Sequence, residues 1–166
     1  YCIYYADGEL VISQNQIKPE SGRMVKKQGF YFAPSNCTTS MTIARFEGAV
    51  MPKSCSYFFR RCENLTEIKN IENLYTDECT SMYEMFFMCK NLINLDVNTF
   101  DTENCTTMFD MFHGCNKLIS LDVSGFDTGS CTNMTDMFYG CDKLTEIKIS
   151  QSTYDKMNTL KGYSSL

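Results

Sequence analysis

The same 26-residue pattern occurs three times in succession, beginning at Cys79, Cys105 and Cys131. The copies read CTSMYEMFFMCKNLINLDVNTFDTEN, CTTMFDMFHGCNKLISLDVSGFDTGS and CTNMTDMFYGCDKLTEIKISQSTYDK. A fixed period of about 20 to 50 residues is typical of arrays in which each repeat forms one coil. One coil cannot bury its apolar residues alone, so neighbouring coils must stack. The period therefore predicts a stacked array whose recurring residues serve packing.

Each repeat divides into two halves with different patterns. The first half of the second copy has apolar residues at steps of three or four, which predicts one face of a short helix: Cys105, Met108, Met111, Phe112 and Cys115. In the second half Leu121 and Val123 alternate with Ser120 and Asp122, which predicts a strand. Glycine and aspartate then indicate a turn. In-register strands of successive coils would form a parallel sheet.

Less regular segments flank the three copies. Residues 52–78 form a degenerate copy in which Cys62 takes the place of Cys89, and Met157 begins a copy that fades. Residues 1–42 do not repeat. The segment YCIYYADGELVIS has two alternating runs around Asp7 and Gly8, which is typical of a hairpin. The segments GFYFAP and TIARFEGAV indicate further strands.

The repeat resembles a known group of proteins. The pattern FDT..CT.M..MF.GC..L..LDVS, with ADGELVIS and ARFEGAV before it, is similar to the BspA-like bacterial surface proteins, a leucine-rich-repeat family. Their usual form has valine where Cys105 and Cys131 stand here. The resemblance covers residues 43–150 best. It implies an extracellular or cell-surface adhesion or binding role, and it transfers no catalytic residue to this chain.

Periodicity and resemblance together predict an α/β fold. We expect a right-handed leucine-rich-repeat solenoid with a parallel sheet on one side and short helices on the other, preceded by a small β-rich N-terminal cap. The expected cap is 1–42 and the expected solenoid is 43–166. Within the solenoid we expect a degenerate coil, three full repeats and a partial C-terminal cap, at 52–78, 79–104, 105–130, 131–156 and 157–166.

The chain has ten cysteines, six of which form two columns at the repeat period. We interpret these six as reduced, buried core residues: Cys79, Cys89, Cys105, Cys115, Cys131 and Cys141. Two cysteines ten residues apart on a helix would be separated by about 15 Å, too far for a disulfide. The other four cysteines are irregularly placed, and one disulfide among them remains an alternative: Cys2, Cys37, Cys55 and Cys62. No CxxC pair occurs and His113 is the only histidine, so we predict no metal and no cofactor.

Composition narrows the classes of partner. The net charge is −5 and no basic stripe is present, which argues against nucleic acid or an anionic membrane as the partner. No apolar run of about 18 residues could span a membrane. The chain also opens without a basic segment followed by an apolar run, so no secretion signal is visible.

The candidate ligand-binding residues are polar positions of the predicted strands, one or two in each coil: Glu67, Lys69, Asn94, Asp96, Ser120, Asp122, Glu146 and Lys148. The alternative is that these residues form a solvated ladder whose charges compensate one another. A second candidate patch comprises the irregular residues Tyr57, Phe58, Arg60 and Arg61. His113 has Phe87 and Tyr139 in its column, which indicates surface variation rather than a catalytic base.

We therefore predict a non-enzymatic binding module, secreted or on a bacterial cell surface, that binds a protein or glycan ligand. The alternative is an intracellular or injected protein-binding scaffold, which abundant free thiols would suit. An enzyme is a third hypothesis, for which the sequence offers no nucleophile–base pair, phosphate loop or metal cluster.

Overall fold

The computed structural model describes residues 2–4, 8–12, 23–25 and 40–160. The predicted strand in GFYFAP, Cys37 and the last six residues lie outside this part of the chain. For 2–4 and 23–25 only the backbone is described.

In the described part of the chain, seven strands form two separate sheets. Their bounds are β1 Cys2–Tyr4, β2 Glu9–Ile12, β3 Arg23–Val25, β4 Ile43–Phe46, β5 Glu67–Lys69, β6 Ser120–Val123 and β7 Glu146–Ile149. The first sheet has the order β3-β1-β2-β4-β5, and the second pairs β6 with β7. β1 pairs antiparallel with β2 and with β3, and pairing is parallel across β2, β4 and β5 and between β6 and β7. The turn of the predicted hairpin lies partly outside the described residues.

One α-helix, α1 at Gln151–Thr159, follows β7. The Ser150 side chain caps it by accepting from the Thr153 amide over 3.2 Å, which satisfies one of the free amides of the first turn. Met157 is buried on its inner face. A short 3₁₀ turn at Ile71–Asn73 follows β5.

The predicted leucine-rich-repeat solenoid is wrong. In the described part of the chain the sheet is not continuous along the repeats, and no helix runs along their other side. The described residues instead form a small mixed α/β structure in which loops and turns predominate. Residues 93–97, which lie between β5 and β6 in chain order, adopt no strand although their alternation predicted one.

Backbone hydrogen bonding explains why the helices did not form. Alternate amides in the first half of each repeat donate to carbonyls of the next repeat, over 2.7–3.0 Å, and so are not available to a helix. Glu84, Asp110 and Asp136 also have φ between 51° and 53°, in the left-handed region that a right-handed helix excludes. The apolar steps of three and four therefore come from consecutive turns. We call these bonded turns the turn ladder; it comprises residues 55–61, 81–88, 107–114 and 133–140.

The core lies inside the turn ladder. The columns that periodicity assigned to packing are buried, as Met108, Met111 and Leu118 illustrate. Four phenylalanine rings stack in one row with centroids 5.5–5.7 Å apart: Phe59, Phe86, Phe112 and Phe138. Such offset stacking adds to the burial of apolar area. Packing between repeats, rather than within one repeat, therefore stabilises this part of the chain.

Candidate functional site

A groove of about 810 Å³ lies along the strand side of the repeats. Its lining comes from the β5 region, from residues 93–98, from β6 and from β7. Seven of the eight predicted binding residues line it: Glu67, Asn94, Asp96, Ser120, Asp122, Glu146 and Lys148. Lys69 does not line the groove, but its ammonium lies 3.8 Å from the Glu67 carboxylate at the margin. We refer to this feature as the strand groove.

Strand alternation brings these side chains to one face. In β6, Leu121 and Val123 are buried, whereas Ser120 is exposed and Asp122 is half-buried. The parallel register places Ser120 beside Glu146 and Asp122 beside Lys148. Because side chains alternate between the two faces of a strand, the polar set must share the side opposite the core.

The carboxylates of the strand groove differ in whether a cation pairs with them. Lys148 Nζ lies 3.5 Å from Asp122 Oδ2, so this carboxylate has a cationic partner. The Ser124 hydroxyl and amide donate to Asp122 Oδ1 over 2.6 and 3.0 Å, and they hold the pKa of Asp122 below its usual value, with Lys148 acting in the same direction. Among the described residues no cation pairs with Asp96 or Glu146.

Apolar side chains border the same groove. Ile93 and Ile119 are 41% and 49% exposed and belong to neighbouring repeats, since the Ile119 amide donates to the Ile93 carbonyl over 3.3 Å. Ile93 lines the groove itself. Ile93 therefore gives the groove an apolar wall beside the carboxylate of Asp96. The sequence analysis did not predict the exposure of these two isoleucines.

A second surface lies on the turn ladder. The rings of Phe87 and Tyr139 each lie 5.0 Å from the His113 ring, centroid to centroid. The Arg60 guanidinium lies over the Phe87 ring at 5.4 Å and pairs with Glu84. Phe58, which we had grouped with this patch, is buried in the core. The His113 ring is tilted by 49° from the Phe87 ring and by 53° from the Tyr139 ring, and Tyr139 at the end of the row is 56% exposed.

His113 belongs to this row and not to a catalytic constellation. Its Nδ1 lies 2.8 Å from Asp110 Oδ1, and within the described residues it is not bonded to a nucleophile. Burial raises the pKa of Asp110 above its usual value, although the hydrogen bond with His113 acts in the opposite direction. The pair is a half-buried polar contact inside an aromatic stack, which is a packing role.

The described cysteines are buried or half-buried thiols. All eight are free: Cys55, Cys62, Cys79, Cys89, Cys105, Cys115, Cys131 and Cys141. Cys89, Cys115 and Cys141 donate to phenylalanine carbonyls of the preceding repeat over 3.2–3.3 Å. Burial raises the pKa of Cys105 to about 12 and that of Cys141 to about 11, so these two groups stay protonated. The column cysteines therefore act as small core residues that also satisfy backbone carbonyls.

The described residues offer no set of three or more metal-ligating side chains. They also include no helix long and apolar enough to cross a membrane. The strand groove is lined by carboxylates, amides and one ammonium, with the exposed Ile93 beside them.

Comparison with known proteins gives one match. A family model described as "Mycoplasma protein of unknown function, DUF285" matches residues 53–163, which is most of the chain and includes the repeats and the whole strand groove. No curated protein and no solved structure matches the chain.

Proposed function

The chain belongs to the Mycoplasma protein family of unknown function DUF285, and we propose that it is a non-catalytic binding module that is either displayed on a bacterial cell surface or secreted. In this proposal the module binds a protein or glycan through the strand groove and acts in adhesion or host interaction. We further propose that it is related to the BspA-like surface proteins, because the motif FDT..CT.M..MF.GC..L..LDVS resembles their repeat, with cysteine in place of valine at Cys105 and Cys131.

One observation carries the proposal. The strand groove, whose volume is about 810 Å³, is lined by polar side chains from four successive segments. Arrays of repeats bind ligands with extended surfaces that take one or two positions from each repeat. A polar ladder whose charges compensated one another would leave no uncompensated carboxylate, whereas Asp96 and Glu146 have no cationic partner among the described residues.

The thiols favour a second candidate. Eight described cysteines are free, and disulfides are rare where the compartment is reducing. This observation suits an intracellular or injected scaffold that binds protein through the same groove. Locating the protein on intact cells by surface proteolysis, with a cytoplasmic marker as control, distinguishes the two. Removal of the protein while the marker survives supports the surface role, and survival of both supports the scaffold.

The test of binding is a screen of the purified chain against host matrix proteins and a glycan array, by biolayer interferometry. Four charge reversals change the groove or its margin: Lys69→Glu, Asp96→Lys, Asp122→Lys and Lys148→Glu. Glu103→Lys, at an exposed position outside the groove, is the matched control. We expect each groove variant to change the affinity for a charged ligand, with Lys69→Glu and Lys148→Glu acting in the direction opposite to Asp96→Lys and Asp122→Lys, and we expect the control to leave the affinity unchanged. Binding that survives all four reversals would exclude the groove.

A further inference from the structure

We propose that the strand groove takes an extended polypeptide segment with lysine or arginine at alternate positions. This inference rests on the proposed binding function and specifies the chemistry of the partner. It follows from the charge of the groove, its apolar border and the spacing of its rows.

The charge of the groove selects a cation. Its lining contains four carboxylates, those of Glu67, Asp96, Asp122 and Glu146, against the single ammonium of Lys148. That ammonium is matched to Asp122, and Lys69 at the margin is matched to Glu67. Asp96 and Glu146 therefore remain for cations of a partner. The same excess disfavours anionic glycans, nucleic acid and anionic lipid, since like charges across an interface oppose binding.

The apolar border of the groove favours a ligand whose cationic groups are carried on aliphatic stems. Ile93 lines the groove with Asn94 and Asp96, and it is 41% exposed. Lysine and arginine lay their methylene stems along apolar surface while the charged head reaches a polar group. Ile93 can therefore contact the stem of a side chain whose head reaches Asp96.

The spacing of the rows selects an extended backbone. The Ile119 amide donates to the Ile93 carbonyl and β6 pairs in register with β7, so the row of Asp96 lies two hydrogen-bonded steps, about 10 Å, from the row of Glu146. Asp96 also lies two residues further along its row than Glu146 does, which puts the two backbone positions about 12 Å apart. In an extended chain residues i and i+4 are about 14 Å apart and lie on one face, whereas in a helix alternate positions lie on different faces. Lysine side chains at i and i+4 of an extended segment can thus reach Asp96 and Glu146 from one side.

The test uses a fluorescent peptide of nine residues in which lysine alternates with threonine, followed by fluorescence anisotropy with the full chain. Matched peptides replace every lysine by glutamine or by glutamate, and a fourth places the same lysines next to one another. Spermine serves as a small cation, and a heparin fragment serves as an anionic glycan.

The protein variants test the place of binding. In Asp96→Asn the Oδ1 atom that accepts the Asn98 amide over 3.0 Å is kept, so the turn is preserved while the charge is lost. We expect Asp96→Asn combined with Glu146→Gln to weaken the alternating peptide about tenfold, as two lost ion pairs predict. Glu103→Gln should have no effect. Added salt should weaken binding by the wild-type chain, because the charges are exposed.

Four outcomes would overturn the inference: equal binding of the glutamine peptide, equal binding of the clustered peptide, competition by spermine at the same concentration, or preference for the heparin fragment. If no peptide binds but the screen yields another ligand, and the groove variants no longer bind that ligand, the inference fails and the proposed function stands. If neither experiment yields a groove-dependent ligand, both fail.

Discussion

Gly114 is the position at which the turn ladder is most sensitive to one added methyl group. Its φ is +71°, and a Cβ built there would lie 2.6 Å from Met88 Sδ in the preceding repeat. Gly140 occupies the equivalent position of the next repeat with φ +72°, but its Cβ would meet nothing closer than 3.5 Å. The two glycines thus share one backbone requirement and differ in one contact.

The magnitudes follow from these two terms. An L-residue in the left-handed region costs about 1–2 kcal/mol, and this cost applies to Gly140→Ala and Gly114→Ala alike. Only Gly114→Ala must also displace the Met88 sulfur, which lies towards the end of a flexible, half-buried side chain, so this cost lies at the low end of the range for overpacking, about 1 kcal/mol. The gain from a stiffer unfolded chain is the same for both and cancels in the difference. We therefore expect Gly114→Ala to be the less stable variant by about 1 kcal/mol.

Urea unfolding followed by circular dichroism measures this difference, with the m-values compared to confirm that the same unit unfolds. Met88→Ala in the Gly114→Ala background completes a double-mutant cycle. Removing the sulfur should reduce the cost of Gly114→Ala to that of Gly140→Ala. Equal stabilities of the two single variants, or a cycle without coupling, would refute the close approach of the Met88 side chain to position 114 in the following repeat.

Three further predictions address the core, the titration of Asp110 and the thiols. Phe112→Ala should cost about 3–5 kcal/mol in the free energy of unfolding, because its ring is fully buried between two stacked neighbours; a loss below about 1 kcal/mol in urea unfolding would contradict the stack. Burial raises the pKa of Asp110 in the folded state, so its contribution to stability is present below the usual carboxyl pKa and is lost as pH rises through the folded value. Asparagine tolerates the positive φ at this position. The free energy of unfolding of Asp110→Asn, measured in urea relative to that of the wild type, should therefore increase as pH rises from about 3 to about 7. A difference that stays constant or decreases would count against the burial of this carboxyl. Iodoacetamide should label the six column cysteines slowly in the native protein and fully after unfolding; peptide mass spectrometry that finds any of them in a disulfide would disprove the free-thiol assignment.

The sequence predicts much of the packing because burial depends on period. Residues that recur every 26 positions must occupy equivalent places in stacked repeats, whatever local structure they adopt. Met111 and Phe112 are buried for this reason, although the helix predicted around them is absent. The polar positions of the strand groove were predicted on the same basis, since strand alternation separates them from Leu121 and Val123.

The helices could not be predicted correctly because consecutive turns and a short helix give the same apolar spacing. The distinguishing signal was glycine at 114 and 140, since glycine favours the left-handed region and weakens a helix interior. Met88 occupies the equivalent place in the first full repeat with φ 59° and concealed this signal. The missing strand at 93–97 depends on pairing between chain segments, which alternation alone does not specify.

We propose that ligand binds the strand groove, whereas the turn ladder serves packing. Amide chemical shifts, recorded by NMR while the alternating lysine–threonine peptide is titrated into the chain, distinguish these two surfaces. We expect shifts at residues 94–97, in β6 and in β7, with little change at Phe109, His113 and Tyr139. Shifts concentrated at those three turn-ladder residues, or none at saturating peptide, would contradict it.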